Sequence, residues 1–158
     1  MTAATARKPR PVYTPWNPSP KAIAKVSNPL PVPDACPHCS SPVKIVDNAE
    51  IYGRRYGEWP WAVLCTGVRC GAYVGLHPKT GIPLGTLATK PMRDARREAK
   101  RWFAPLYDGP QATMTRSEAY AWLAKAMGIE NIEHCHVGWF DIAQCAAVVA
   151  AVKARAAS

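Results

Sequence analysis

Four cysteines in two short-spaced pairs constrain this chain more than any other feature. The first pair lies in Cys36-Pro37-His38-Cys39, and the second pair, Cys65 and Cys70, follows after an insert of β-hairpin length. Two such pairs on turns can place four thiolates around one zinc ion. The second pair has a wider spacing than the first, and so matches the pattern less closely. The four cysteines predict one structural zinc ion.

Two alternatives to zinc stay open: two disulfides in a secreted domain, or buried free cysteines. The first twenty residues contain no apolar segment of the kind that directs secretion, and no run approaches the ~18 apolar residues of a membrane span. We therefore expect a cytoplasmic protein that makes no membrane contact. A reducing compartment favours metal binding over disulfides.

Short apolar runs rich in β-branched and aromatic residues predict three strands around the cysteine pairs. These runs are Val43–Val46, Trp61–Cys65 and Ala72–Leu76. Gly53, Gly57 and Pro60 interrupt the chain between the first two runs and predict a hairpin tip there. The sequence thus predicts a three-stranded zinc ribbon over residues 34–85, a domain small enough to need its metal for stability.

The remainder, residues 86–158, has the pattern of a helical lobe. A helix from Met92 has an apolar stripe at a 3.6-residue period, formed by Met92, Ala95, Ala99, Trp102, Phe103 and Leu106. The basic residues between them are expected on its outer face: Arg93, Arg96, Arg97, Lys100 and Arg101. Two further helices begin at capping boxes, Thr115–Glu118 and Asp141–Gln144, and Gly128 ends the first of these. The predicted fold class is α+β, a zinc ribbon followed by a compact three-helix lobe.

Charge is concentrated at the N-terminus. The chain has 158 residues and a net charge of +9, and residues 1–33 hold five basic residues, no acidic residue and eight of the sixteen prolines. Such a segment buries too little apolar surface to offset its chain entropy. We therefore predict a disordered basic arm over residues 1–33, which either aids solubility or strengthens binding to a polyanion. Tyr13 and Trp16 are the residues that could anchor it.

Several motifs, in the same order, resemble the zinc-finger-containing domain family of unknown function that occurs in phages and prophages. The motifs span about residues 34–150: Cys36–Cys39, Ala49–Arg54, Tyr56-Gly57, the second cysteine pair, Ala72–Gly75 with His77, Pro83–Gly85, Arg96, Glu98-Ala99, Ser117–Leu123, His136–Asp141 and Cys145. The resemblance implies that the four paired cysteines are zinc ligands, and that the protein is phage-encoded and acts in the host bacterial cytoplasm. Lys100 and Ala104 depart from the family pattern, where a histidine and an acid are expected.

The hairpin tip interleaves arginines with tyrosines, a combination that contacts phosphates and stacks on bases. Together with the basic helix face it predicts a nucleic-acid-binding surface, DNA or RNA. The candidate contacts are Arg54, Arg55, Arg69, Arg93, Arg97, Lys100, Tyr52 and Tyr56. The alternative is that the aromatic residues pack against the helical lobe while the charges form a solvated face.

A second metal site is the other arrangement worth testing. His134, Cys135, His136 and Cys145 are residue types that bind zinc. However, Phe140 before the Asp141 cap predicts a hydrophobic staple that already explains a buried Cys145. His77 could replace one cysteine ligand, although a loop hydrogen bond is the simpler role.

The sequence favours a binding protein over an enzyme. It has no glycine-rich phosphate loop, its eleven carboxylates are scattered, and a four-cysteine zinc ion has no open coordination position. Only Asp141 with His134 and His136 suggests a catalytic cluster. Nucleic-acid binding is thus the first functional hypothesis, and an adaptor that docks on a host or phage transcription or replication protein is the second. A nuclease accessory or enzyme is the weakest.

Overall fold

The computed structural model describes residues 8–158. In chain order its helices are α1 (Pro20–Ala24), α2 (Ala49–Tyr52), α3 (Lys90–Phe103), α4 (Arg116–Ala126) and α5 (Ile142–Ala157). Its strands are β1 (Val43–Asp47), β2 (Trp61–Cys65) and β3 (Tyr73–Gly75). Single 3₁₀ turns cover Ala104–Leu106, Ile132–His134 and Val137–Trp139. The predicted combination of a small three-stranded sheet with helices is confirmed.

The sheet is antiparallel with the strand order β1-β2-β3. β1 pairs with β2 from Val43 opposite Cys65 to Asp47 opposite Trp61. This register places the second cysteine pair beside the start of β1, where the chain leaves the first pair. Val63, at the centre of β2, is fully buried, and it packs in a small core with the two buried cysteines of the cluster.

The connection between β1 and β2 is a short helix, α2, and differs from the expected simple hairpin tip. The carboxylate of Asp47 accepts a hydrogen bond from the backbone N–H of Ala49 at 2.9 Å, which favours a helical turn directly after the strand. Gly53 then ends α2 with a φ of +80°, a conformation that glycine adopts without steric cost.

The predicted helix-terminating and capping signals are present in the helices after residue 86. The capping boxes at Thr115 and Asp141 are both present, with the side chain of each residue accepting a hydrogen bond from the backbone of the residue three positions on. Gly128, with a φ of +69°, lies just after α4. Phe103, Leu123 and Val148 come from α3, α4 and α5 and meet in one buried cluster, which forms the core of this lobe.

Arg96 is a correction to the predicted basic face of α3. Its side chain is buried, with 7% of its surface exposed, and it does not lie on the outer face. The guanidinium donates hydrogen bonds to the carbonyl oxygens of Phe140 at 2.9 Å and Thr86 at 2.8 Å, and to the Thr86 hydroxyl at 2.6 Å. Because backbone carbonyls take up these donors, the charged side chain can lie between the ribbon and the helical lobe.

The predicted disorder of the basic arm is also corrected for the part that the structure describes. Helix α1 begins after Ser19, which is buried and whose backbone N–H donates to the carbonyl oxygen of Lys79 at 2.9 Å. The ring of Trp16 meets that of Trp61 edge-on, at 5.3 Å between centroids. This part of the arm is thus held against the ribbon. Residues 1–7, including Arg7, lie outside the described residues.

Within residues 8–158, none of the helices combines the length and the apolar character that a bilayer crossing requires.

Candidate metal centre and nucleic-acid surface

The first cysteine pair lies on a tight turn that its own backbone closes. The N–H of Cys36 donates to the carbonyl oxygen of Ser41 at 2.8 Å, and the N–H of Ser40 donates back to the carbonyl oxygen of Cys36 at 2.9 Å. Ser40 has a φ of +63°, which turns the chain sharply after Cys39. The backbone N–H of His38 donates a hydrogen bond to the sulfur of Cys36 at 3.4 Å. The turn thus presents both sulfurs on one side.

The second pair repeats this local geometry despite its longer spacing. The N–H of Gly67 donates to the sulfur of Cys65 at 3.3 Å, so that the donor is again two residues after the cysteine. The N–H of Cys65 is bonded to the carbonyl oxygen of Ala72 at 2.9 Å, which closes the loop beyond Cys70. The extra residues bulge outward, and Val68 at the tip is fully exposed.

The four sulfurs converge into one cluster. All four lie within 4.8 Å of one another, with 3.7 Å between Cys36 and Cys70 and 3.4 Å between Cys39 and Cys65. Sulfurs bound at about 2.3 Å to one tetrahedral zinc ion lie about 3.8 Å apart, so the cluster has the size that zinc requires. The predicted cofactor, a single structural zinc ion, is confirmed by this fit.

The cysteines differ in their surroundings. Burial raises the pKa of the Cys65 thiol to about 12 and also raises the pKa of Cys70. Hydrogen bonds from the side chain and backbone of Ser41 lower the pKa of the exposed Cys39 to about 6. Zinc, when bound, holds the cysteines as thiolates, and its charge offsets the cost of burying them. The backbone N–H groups of His38 and Gly67 also stabilise thiolates, because they donate to the sulfurs of Cys36 and Cys65.

Gly67, Ser41 and His38 shape the metal centre in ways that the sequence did not predict. A Cβ atom on Gly67 would lie 2.9 Å from the hydroxyl oxygen of Ser41 and 3.0 Å from the sulfur of Cys39, so any larger residue there would displace these side chains. His38 connects the cluster to the polypeptide beyond the sheet, because its Nε2 lies 2.9 Å from the carbonyl oxygen of Leu87. Of these roles, only that of Gly67 had a signal in the sequence, since a glycine stands two residues after Cys65.

The four-cysteine cluster beside the three-stranded sheet defines a zinc-binding protein. Comparison with known families gives the particular family: the one described as zinc-finger-containing domain matches residues 32–155, and the chain belongs to it. No curated protein and no solved structure matches the chain.

The other candidate ligands do not form a metal site. Among residues 8–158, the four-cysteine cluster is the one group with metal-ligand spacing. Cys135 and Cys145 are buried in the core of the helical lobe, and burial raises the pKa of both thiols. His136 packs on the ring of Trp139, at 4.3 Å between centroids. His77 lies outside the cluster, and burial lowers its pKa.

The predicted nucleic-acid contacts include a cluster of tyrosines between the ribbon and α3. Tyr52 meets Tyr56 and Tyr73 edge-on, at 5.3 Å and 5.9 Å between centroids, and its hydroxyl donates to that of Tyr73 at 3.1 Å. The guanidinium of Arg93 lies 3.9 Å above the Tyr73 ring. Tyr73 in β3 thereby links the hairpin tip to the basic helix.

The basic residues in the same region have different partners. Arg55 pairs with Asp47, and Arg97 pairs with Asp94 at 3.5 Å. Arg93 is held in place, because it also donates to the carbonyl oxygens of Ala88 at 2.6 Å and Gly71 at 3.3 Å.

Three further basic side chains, Arg54, Arg69 and Lys100, are exposed and have no carboxylate partner within residues 8–158. Arg54 stacks over Tyr56 at 4.5 Å, while Arg69 lies apart from the tyrosines, on the second zinc loop.

Burial and the hydrogen bond to Tyr73 raise the pKa of Tyr52 to about 12. The positive charges of Arg93 and Arg97 lower the pKa of Tyr52, because these α3 side chains lie close to the hairpin tip. We call the surface formed by Tyr52, Tyr56, Arg54, Arg97 and Lys100 the hairpin–helix surface.

Proposed function

We propose that this zinc-binding protein binds nucleic acid through the hairpin–helix surface. The observation that carries the proposal is the direct contact of Tyr52 with Tyr73, and of Tyr73 with Arg93. These two contacts connect the hairpin tip, which carries tyrosines and arginines, to the basic helix α3. A polyanion could therefore contact the tip and the helix at once. Aromatic rings beside cationic side chains are the combination that holds nucleic-acid strands.

Exposure and charge support this role. Tyr52 and Tyr56 keep 47% and 45% of their surfaces exposed, although each already contacts another ring. Arg54 and Lys100 carry charges that no carboxylate of the described residues offsets. The phosphates of a nucleic acid would neutralise these positive charges, and release of the phosphate counterions would add to the affinity. The arm, with its own positive charge, lies on the same ribbon and extends the proposal.

A triple variant, R54Q/R97Q/K100Q, tests the proposal. These exposed side chains contribute no apolar packing to the core, so folding and zinc content should match the parent. For a mixed-sequence single strand, the slope of log affinity against log salt should fall by about 0.7 for each phosphate that the variant no longer neutralises. The matched control is K125Q/K153Q/R155Q, which removes the same charge from exposed positions on α4 and α5. An equal weakening of binding in the two variants would leave only a nonspecific charge effect and contradict the proposal.

An adaptor role is the second candidate, and the exposed tip of the second zinc loop favours it. Val68 is fully exposed there beside Arg69, where a protein partner could cover it. Affinity for such a partner would change little with salt and would fall on Val68→Asp substitution, whereas nucleic-acid affinity falls steeply with salt. A phage or prophage origin and a cytoplasmic location stay predictions from the sequence.

A further inference from the structure

A groove of about 330 Å³ separates the ribbon from α3. One wall is formed by β3, and the other by a row of basic residues on α3, including Arg97 and Lys100. Leu84 and Gly85, from the segment between the ribbon and α3, complete the lining. The volume lies at the lower end of the range for small-ligand sites, which suits one flat group and not a folded segment.

The groove is electropositive and has no acidic residue in its lining. Its most unusual member is Arg96, which is buried but has no carboxylate within 4 Å in the described part of the chain. Hydrogen bonds to Thr86 and Phe140 use three of its five N–H donors. A buried cation without a counter-ion is costly, and an anion in the groove would relieve that cost.

Two exposed charges lie at the rim of the groove, in addition to the buried charge of Arg96. Lys100 is exposed and unpaired within residues 8–158, and Arg97 pairs with Asp94 across 3.5 Å in an exposed position. An exposed pair of this kind contributes little stability, so Arg97 can exchange Asp94 for a ligand anion. The positive charges thus lie along one wall of the groove.

The opposite side of the groove, formed by β3 and Leu84, is largely apolar. Leu84 keeps 51% of its surface exposed, and Gly75 in β3 offers no side chain. A planar ring could therefore lie against the backbone of β3 and the side chain of Leu84. An apolar shelf facing a cationic wall matches a nucleotide, whose base is flat and whose phosphate is anionic.

We propose that this groove holds one unpaired nucleotide of a bound single strand. The base lies on the shelf of Gly75 and Leu84, and the phosphate lies against Arg97 and Lys100, with the charge of Arg96 behind them. This inference rests on the proposed function, since it names the strand type and the position of one base. A duplex keeps its bases paired and stacked, so the groove selects single strands.

Two uncharged substitutions test the groove without altering the phosphate contacts. Gly75→Ala adds a methyl group to the shelf, where its nearest neighbour is the flexible end of Leu84 at 3.2 Å. Leu84→Ala removes the exposed apolar side chain. Each should weaken binding of an oligothymidine single strand about tenfold, the effect of unstacking roughly one base. Binding to a duplex of the same length should be unchanged, as should zinc content and the circular dichroism spectrum.

Photo-cross-linking to a single strand that carries 5-iodouracil gives the position independently. The expected adducts lie on the two tryptic peptides that form the shelf, residues 70–79 with Gly75 and residues 80–93 with Leu84. Adducts confined to residues 45–54 and 56–69, with unchanged affinity in both variants, would overturn the groove while the hairpin–helix surface stands. No binding of the parent to any strand would overturn both proposals.

Discussion

The backbones of Gly85 and Gly138 touch where the ribbon meets the helical lobe. A Cβ atom on Gly85 would overlap the carbonyl oxygen of Gly138. That oxygen also accepts a hydrogen bond from the N–H of Thr86 at 3.1 Å. Neither glycine needs a positive φ, so close approach of the two chain segments explains the residue type.

Substitution of Gly85 should therefore loosen the junction. Gly85→Ala forces two backbones apart, which costs about 1–3 kcal/mol or more, and the melting temperature should fall by several degrees. Thermal unfolding followed by circular dichroism measures this. The matched control is Gly75→Ala, whose new methyl meets only the movable end of Leu84. Equal stability of the two variants would show that the junction can relax.

The metal centre leads to a prediction about zinc content. Cys36→Ser and Cys65→Ser each remove a buried sulfur from the cluster, and structural zinc supplies about 10 kcal/mol or more of folding free energy. Elemental analysis should find one zinc per chain in the parent and much less in these variants, with loss of the strand signal. The Cys135→Ala variant, whose substitution lies in the helical core and outside the cluster, should retain one zinc per chain. A parent purified without chelator and free of zinc would contradict the assignment.

Local signals in the sequence were sufficient to predict the elements. The run Trp61–Cys65 coincides with β2, and both capping boxes form at the expected residues. These features depend on neighbours within a few positions, so periodicity and side-chain chemistry reveal them. The cofactor was predictable for the same reason, since paired cysteines are a local pattern.

The errors concern residues whose surroundings come from distant parts of the chain. Arg96 lies four residues after Met92 and three before Ala99, in line with the apolar stripe of α3. Its charge indicated the outer face, but the carbonyls of Thr86 and Phe140 accept its donors in the interior. No local sequence pattern predicts that these two carbonyl oxygens lie beside Arg96. Order in the arm likewise depends on contacts with residues that lie more than forty positions away.

The glycine in the second zinc loop gives another prediction. Gly67→Ala would place a methyl group 3.0 Å from the sulfur of Cys39 and 3.3 Å from that of Cys65, so the sulfurs must shift. We expect weaker zinc retention against a competing chelator, with an otherwise folded helical lobe. Val68→Ala, one residue further on and fully exposed, is the control and should retain zinc as the parent does. Identical retention in both variants would show that the loop moves freely.

Contacts of the arm with the ribbon lead to the last prediction. Trp16 packs edge-on against Trp61, and such pairs contribute about 0.5–1.5 kcal/mol beyond the area that they bury. Trp16→Ala should lower the melting temperature by a few degrees, whereas Val12→Ala, at an exposed position, should not. Deletion of residues 1–30 should lower it further, because the hydrogen bond from Ser19 to Lys79 is removed as well. If the deletion leaves the melting transition unchanged, the contacts of Trp16 and Ser19 contribute nothing to the stability of the fold.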